Sequence, residues 1–98
     1  MFYKKKLNLT EKKYGYLYWS INLDNEIKET LKNNLKIKNH ILIDVKIGNV
    51  KFSSRNMDLI RRRIFMGSAL KNIDCDIVSI RITPEIIKVK CKKNKNNQ

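Results

Sequence analysis

The sequence predicts a small α+β domain, with an aromatic strand near the N-terminus, two or three helices and a C-terminal β-hairpin. Three stretches carry that expectation. In "YGYLYWSINL", residues 14–23, Tyr14, Tyr16, Tyr18 and Ser20 share one parity, and Leu17, Trp19, Ile21 and Leu23 share the other. Such alternation is the mark of a half-buried strand. In "SSRNMDLIRRRIFMGSALKNI", Met57, Ile60 and Ile64 recur at helical spacing behind Ser53, Ser54 or Asn56 as cap. In "DIVSIRITPEIIKVKCKK", apolar and polar residues alternate on both sides of "TPE", as in a hairpin.

The elements follow in order. "FYKKKLNL" is placed to pair with the aromatic strand through "TEKKYG". Asp24 or Asn25 then caps a helix over about residues 25–35. Glu26 and Glu29 lie in its first turn, Ile27, Leu31 and Leu35 on its apolar side, and Lys28, Lys32 and Lys36 on its wet side. Residues 40–52, "HILIDVKIGNVKF", read two ways. One is a strand and hairpin turning at Gly48-Asn49; the other is a short helix ending near Gly48. The β-branched content favours the strand.

The capped helix runs to about Lys71, with Leu59, Met66, Leu70 and Ile73 widening its stripe. Arg61, Arg62 and Arg63 spread around it. In the terminal hairpin, Val78, Ile80, Ile82, Ile87, Val89 and Cys91 face inward. Ser79, Arg81, Lys88, Lys90 and Lys92 face outward, and Pro84 sits in the turn. Residues 1–92 form the single domain expected of a 98-residue chain, and 93–98 form a mobile basic tail.

Composition bounds the function. Twenty-two Lys and Arg against nine Asp and Glu give a formal charge of +13. That surface attracts polyanions, nucleic acid first among them. The apolar runs are too short to span a bilayer and the start lacks the apolar stretch of a secretory signal, so a cytoplasmic protein is expected. In that setting Cys75 and Cys91 are expected as reduced strand residues, although they could face each other across a hairpin. His40 is the only histidine, so no metal site is expected. With scattered acids, no Walker loop and no dinucleotide-binding glycine motif, neither catalysis, a cofactor nor a small-molecule substrate is expected.

Three constellations are candidates for binding. Ser53, Ser54, Arg55 and Asn56 open the expected long helix, whose N-terminus suits a phosphate, while Arg and Asn suit base edges. A capped, solvated helix is the other reading. Arg81, Lys88, Lys90, Lys92 and Lys93 line the outer side of the hairpin and can follow a phosphate backbone, or merely keep an edge strand soluble. Tyr14, Tyr16 and Tyr18 can stack unpaired bases, although packing or a protein contact is favoured.

"IGNVKFSSRNMDLIRRRIFMG" followed by "DIVSIRITPEIIKVKCKK" resembles the second half of a winged helix-turn-helix protein, a resemblance covering about residues 25–92. It implies recognition-helix positions for Ser54, Arg55, Asn56, Asp58 and Arg62, and wing positions for Arg81, Lys88 and Lys90. Residues 40–50 depart from it, reading as strand where that family has a helix. The Lys- and Asn-rich composition is similar to accessory DNA-binding proteins of plasmids and phages from low-GC Firmicutes, some of which mark a transfer origin while others repress transcription. "YWSINLDNEIKETLKNNLKIKNHILIDV" is in turn similar to the core of swapped-hairpin regulators of the AbrB type. That likeness implies a homodimer with Tyr16, Tyr18 and Trp19 at its interface.

The resulting expectation is a non-catalytic protein that binds double-stranded DNA. Lysines and arginines would supply the affinity, and Arg55, Asn56 and Arg81 would read bases. The alternatives are an interaction module or inhibitor with a basic face, and a single-strand binder using the tyrosine row.

Overall fold

The computed structural model describes residues 1–32 and 39–92. Its centre is one curled, mixed seven-stranded sheet, a half-barrel. The strands are β1 (Phe2–Lys6), β2 (Tyr16–Tyr18), β3 (His40–Ile47), β4 (Val50–Asp58), β5 (Arg63–Phe65), β6 (Ile77–Ile82) and β7 (Ile86–Lys92). They are ordered β1-β6-β7-β3-β4-β5-β2, and every pairing is antiparallel except β3 with β7. Three short helices, α1 (Leu9–Tyr14), α2 (Asp24–Thr30) and α3 (Ser68–Lys71), accompany the sheet. No helix among the described residues is long and apolar enough to cross a membrane.

This architecture replaces the winged-helix-like arrangement. The long helix expected from Ser53 to Lys71 is instead the end of β4, a turn, β5 and α3. A helix needs its buried side chains on one stripe. Here Met57, Leu59, Ile64 and Met66 are buried two apart, as strands require, while Ile60 is 61% exposed. Asp58 makes the turn without Gly or Pro, because its Oδ1 accepts from Ile60 N (3.0 Å) and Arg61 N (2.9 Å). At Arg62 the chain takes φ 55° to enter β5. The terminal hairpin is as expected, with Val78, Ile80, Ile82, Ile87 and Val89 buried. So is the hairpin of β3 and β4 about Gly48-Asn49, although β4 continues to Asp58.

The N-terminal third differs. "YGYLYWSINL" yields only the three residues of β2, followed by a 3₁₀ turn at Ile21–Leu23, so Ile21 is exposed where a core position was expected. β1 pairs with β6 rather than with β2. "TEKKY" is helical because Asn8 and Glu11 form a reciprocal capping box. Gly15 then ends α1 at φ 74°, and a Cβ there would lie 2.7 Å from Gly67 Cα. That close approach lets Gly15 O accept from both Met66 N and Gly67 N. α2 begins at Asp24 but has Leu23 at its N-cap position, with no side-chain cap from Asp24 or Asn25. Leu35 and Lys36, expected to extend that helix, lie outside the described residues, as do Lys93 and the tail.

The inner face of the sheet closes over Ile27 and Leu31 from the α2 region, Leu70 from α3, and Leu7, all buried. Each such side chain contributes up to about 1.5–3 kcal/mol on burial. Tyr3 and Lys5 have the inward parity of β1, opposite Ile80 and Val78. Burial, and then the charge of Glu11, raise the Tyr3 phenol above its ordinary range. Its hydroxyl has no hydrogen-bond partner among the described residues. Tyr3→Phe removes that unmatched group and should raise stability by about 1 kcal/mol, read from urea unfolding midpoints. A difference absorbance titration against wild type should show a phenol that keeps its proton past pH 10. Because the folded pKa is the higher of the two, stability is level below the unfolded value of about 10 and falls as pH climbs from there through the folded pKa.

Cys75 and Cys91 are joined as a disulfide with Cα atoms 5.6 Å apart, in place of the reduced strand residues expected. The register sets Cys91 opposite Val78, and the chain preceding β6 returns Cys75 to meet it. Cys91 is exposed rather than inward.

Candidate nucleic-acid interface

The face of the sheet turned away from the core collects cations from strands far apart in sequence. Alternation in β6 and β7 puts Arg81, Lys88, Lys90 and Lys92 outward, as the sequence indicates. Topology adds the rest. Phe2 lies opposite Arg81, Arg81 opposite Lys88, Lys88 beside Lys46, and Lys46 opposite Lys51. One transverse ladder therefore crosses five strands, with Phe2 at its edge. With strands about 4.8 Å apart, the four cations span about 15 Å. A second rung runs Lys4, Ser79, Lys90, and a third runs Lys6, Ile77, Lys92. Phe2, Ser79, Arg81, Lys88 and Lys90 line a groove of about 350 Å³ between them. The Arg81 guanidinium carbon stands 5.9 Å from the Phe2 ring centroid.

Acids are scarce on this face. Lys51 pairs with Asp44 at 3.3 Å. The Asp44 carboxyl is held below its ordinary range, chiefly by the Ser54 N–H and then by Lys51. Among the described residues no carboxylate pairs with Lys4, Lys6, Lys46, Arg81, Lys88, Lys90 or Lys92.

The expected recognition residues do not converge. Ser54 occupies a bulge in β4 at φ 54°, and its N–H donates to Asp44 Oδ1 (3.0 Å). Arg55 lies opposite buried Ile43 and so has the core-side parity, with its Nε buried and its guanidinium 5.3 Å from the Phe52 ring. Asn56, opposite exposed Leu42, faces outward. No helix presents them, because β4 runs through these positions. Arg62 pairs within the chain. It reaches Asp24 at 3.5 Å, and Asp24 also accepts from Trp19 Nε1 (2.8 Å). Asp58 is buried and pairs with Arg61 at 3.1 Å. Burial pushes its pKa up, but hydrogen bonds from Arg61 and Ile60, together with nearby His40, outweigh that and hold it low.

The tyrosine row divides. Tyr14 ends α1, outside the sheet, with Lys13 Nζ 5.4 Å from its ring centroid. Tyr16 and Tyr18 do share the outer face of β2, with ring centroids 6.1 Å apart. Phe65, opposite Tyr16, meets it edge-on at 5.4 Å, and the Arg63 guanidinium lies 4.0 Å above the Tyr16 ring. β2 and β3, the two strands of the AbrB-like reading, are separated in the sheet by β4 and β5. Trp19 is buried within the chain. Sequence reasoning missed Lys4, Lys6, Lys46, Lys51, Arg63 and Phe65 as members of this face.

Among the described residues no three of His, Cys, Asp and Glu gather as a metal site. Compared with protein families, characterised proteins and solved structures, the chain matches none.

Proposed function

We propose that the chain binds nucleic acid, without catalysis, through the outer face of its sheet. The observation that carries this reading is the ladder of Arg81, Lys88 and Lys46, cations placed directly beside one another on adjacent strands. Like charges in that relation weaken a sheet. A polyanion relieves the repulsion, and releases its own counterions in doing so. Of the double-stranded DNA binding expected from the sequence, the phosphate contacts carry over to this face. The helix-in-groove reading does not, since β4 occupies the recognition positions.

Titration of labelled random-sequence oligonucleotides between 50 and 200 mM salt tests the reading. Log affinity should fall linearly with log salt, with a slope of about −3 or steeper, as contact with four or more phosphates requires. An absence of binding at 50 mM salt would reject it in favour of an acidic protein partner.

A further inference from the structure

We infer that the preferred ligand is single-stranded, with unpaired bases resting on the Phe65 ring and the Arg63 guanidinium at the β5-β2 end of the same outer face. This rests on the nucleic-acid reading above and specifies its ligand. Phe65 is 40% exposed and Leu42 69% exposed. Arg63, spread over Tyr16 at 4.0 Å, offers a second flat cationic surface. Aromatic rings and guanidinium planes are the surfaces on which unstacked bases lie.

The depression between these surfaces, about 260 Å³, is lined by Tyr16, Asn56, Asp58, Arg63 and Phe65. Asn56 brings an amide able to donate and accept at a base edge. Continuity joins this end to the phosphate-binding end. Leu42 and Lys46 share the outward parity of β3, four residues and about 13 Å apart. A strand whose phosphates follow Lys88 and Lys46 can therefore lay its next bases in the depression. A duplex keeps its bases stacked inside and would use only the cations.

The test compares a twelve-nucleotide oligo(dT), an abasic strand of the same length and a twelve-base-pair duplex. Each is titrated against wild type and Phe65→Leu/Arg63→Lys, which keeps the charge and removes both flat surfaces. The double variant should lose about tenfold or more affinity for oligo(dT). It should stay within twofold of wild type on the abasic strand and the duplex. Equal losses on all three ligands, or none on oligo(dT), would overturn the inference while leaving nucleic-acid binding intact. Failure of every ligand to bind wild type would overturn both. Sedimentation of the unliganded protein decides against a second copy as occupant, since a wild-type dimer split by the double variant would make the patch a self-interface. Should the variant unfold, crosslinking of wild type to 5-bromodeoxyuridine strands replaces it. Adducts at Phe65 or Tyr16 support the inference, and adducts confined to β6 and β7 overturn it.

Discussion

Glu11→Ala is expected to destabilise the fold by about 3–5 kcal/mol, the range for breaking a buried ion pair from one side. Glu11 is fully buried, and its carboxylate joins three separate elements. Oε1 accepts from Asn8 N at 3.1 Å, closing the capping box of α1. Oε2 accepts from Tyr18 N at 2.9 Å, on β2, and from Lys5 Nζ, on β1. Removing it leaves a mostly buried ammonium without its counter-ion and a strand N–H without its acceptor. For a domain of this size, with a total stability of about 5–15 kcal/mol, that is a large share. Lys5→Met/Glu11→Leu should not restore it, because an apolar pair replaces the charges but leaves Tyr18 N unmatched. Urea unfolding reads the effect. A loss under about 1 kcal/mol for Glu11→Ala would show that the three bonds are dispensable.

Lys88→Glu/Lys90→Glu should reduce affinity for oligonucleotides on the order of 100-fold at 50 mM salt, because the net charge at the contact falls by about four units. The unfolding midpoint should hold or rise. The carboxylate introduced in place of Lys88 would stand between Arg81 and Lys46, turning a run of like charges into an alternation. Lys28→Glu/Lys71→Glu changes the formal charge of +13 by the same amount on α2 and α3. That control should lose no more than about tenfold, since its field is screened over roughly 14 Å at 50 mM salt. Matching losses in the two variants would mean that total charge, and not the ladder, governs binding.

What could be read in advance was whatever depends on near neighbours. The outward side of β6 and β7 follows from alternation, so Arg81, Lys88, Lys90 and Lys92 were found where they are. Gly48-Asn49 announced its turn by composition. The segment from Ser53 to Lys71 misled because Met57, Ile60 and Ile64 fit a helical stripe, while Met57 with Leu59 and Ile64 with Met66 also fit the parity of two strands. The turn dividing them is made by an Asp side chain rather than by Gly or Pro. The start of α1 did carry a signal, Asn8 followed three residues later by Glu11 with Gly15 beyond, and it marks that helix correctly. The ladder itself had no local trace. Lys46 meets Lys88 only because β3 and β7 pair in parallel, and Phe2 meets Arg81 only because β1 closes beside β6. Such adjacency is fixed by the folded topology and by no spacing along the chain.

The bonds around Tyr18 have one more consequence. β2 is an outermost strand, and the Tyr18 amide and carbonyl point away from β5, toward where an eighth strand would dock. Glu11 occupies the amide and Lys5 Nζ the carbonyl, the latter at 3.0 Å. An incoming extended peptide finds that rung already taken by side chains of the same molecule. At high concentration this boundary resists the edge-to-edge zipping that turns β-rich proteins into fibres.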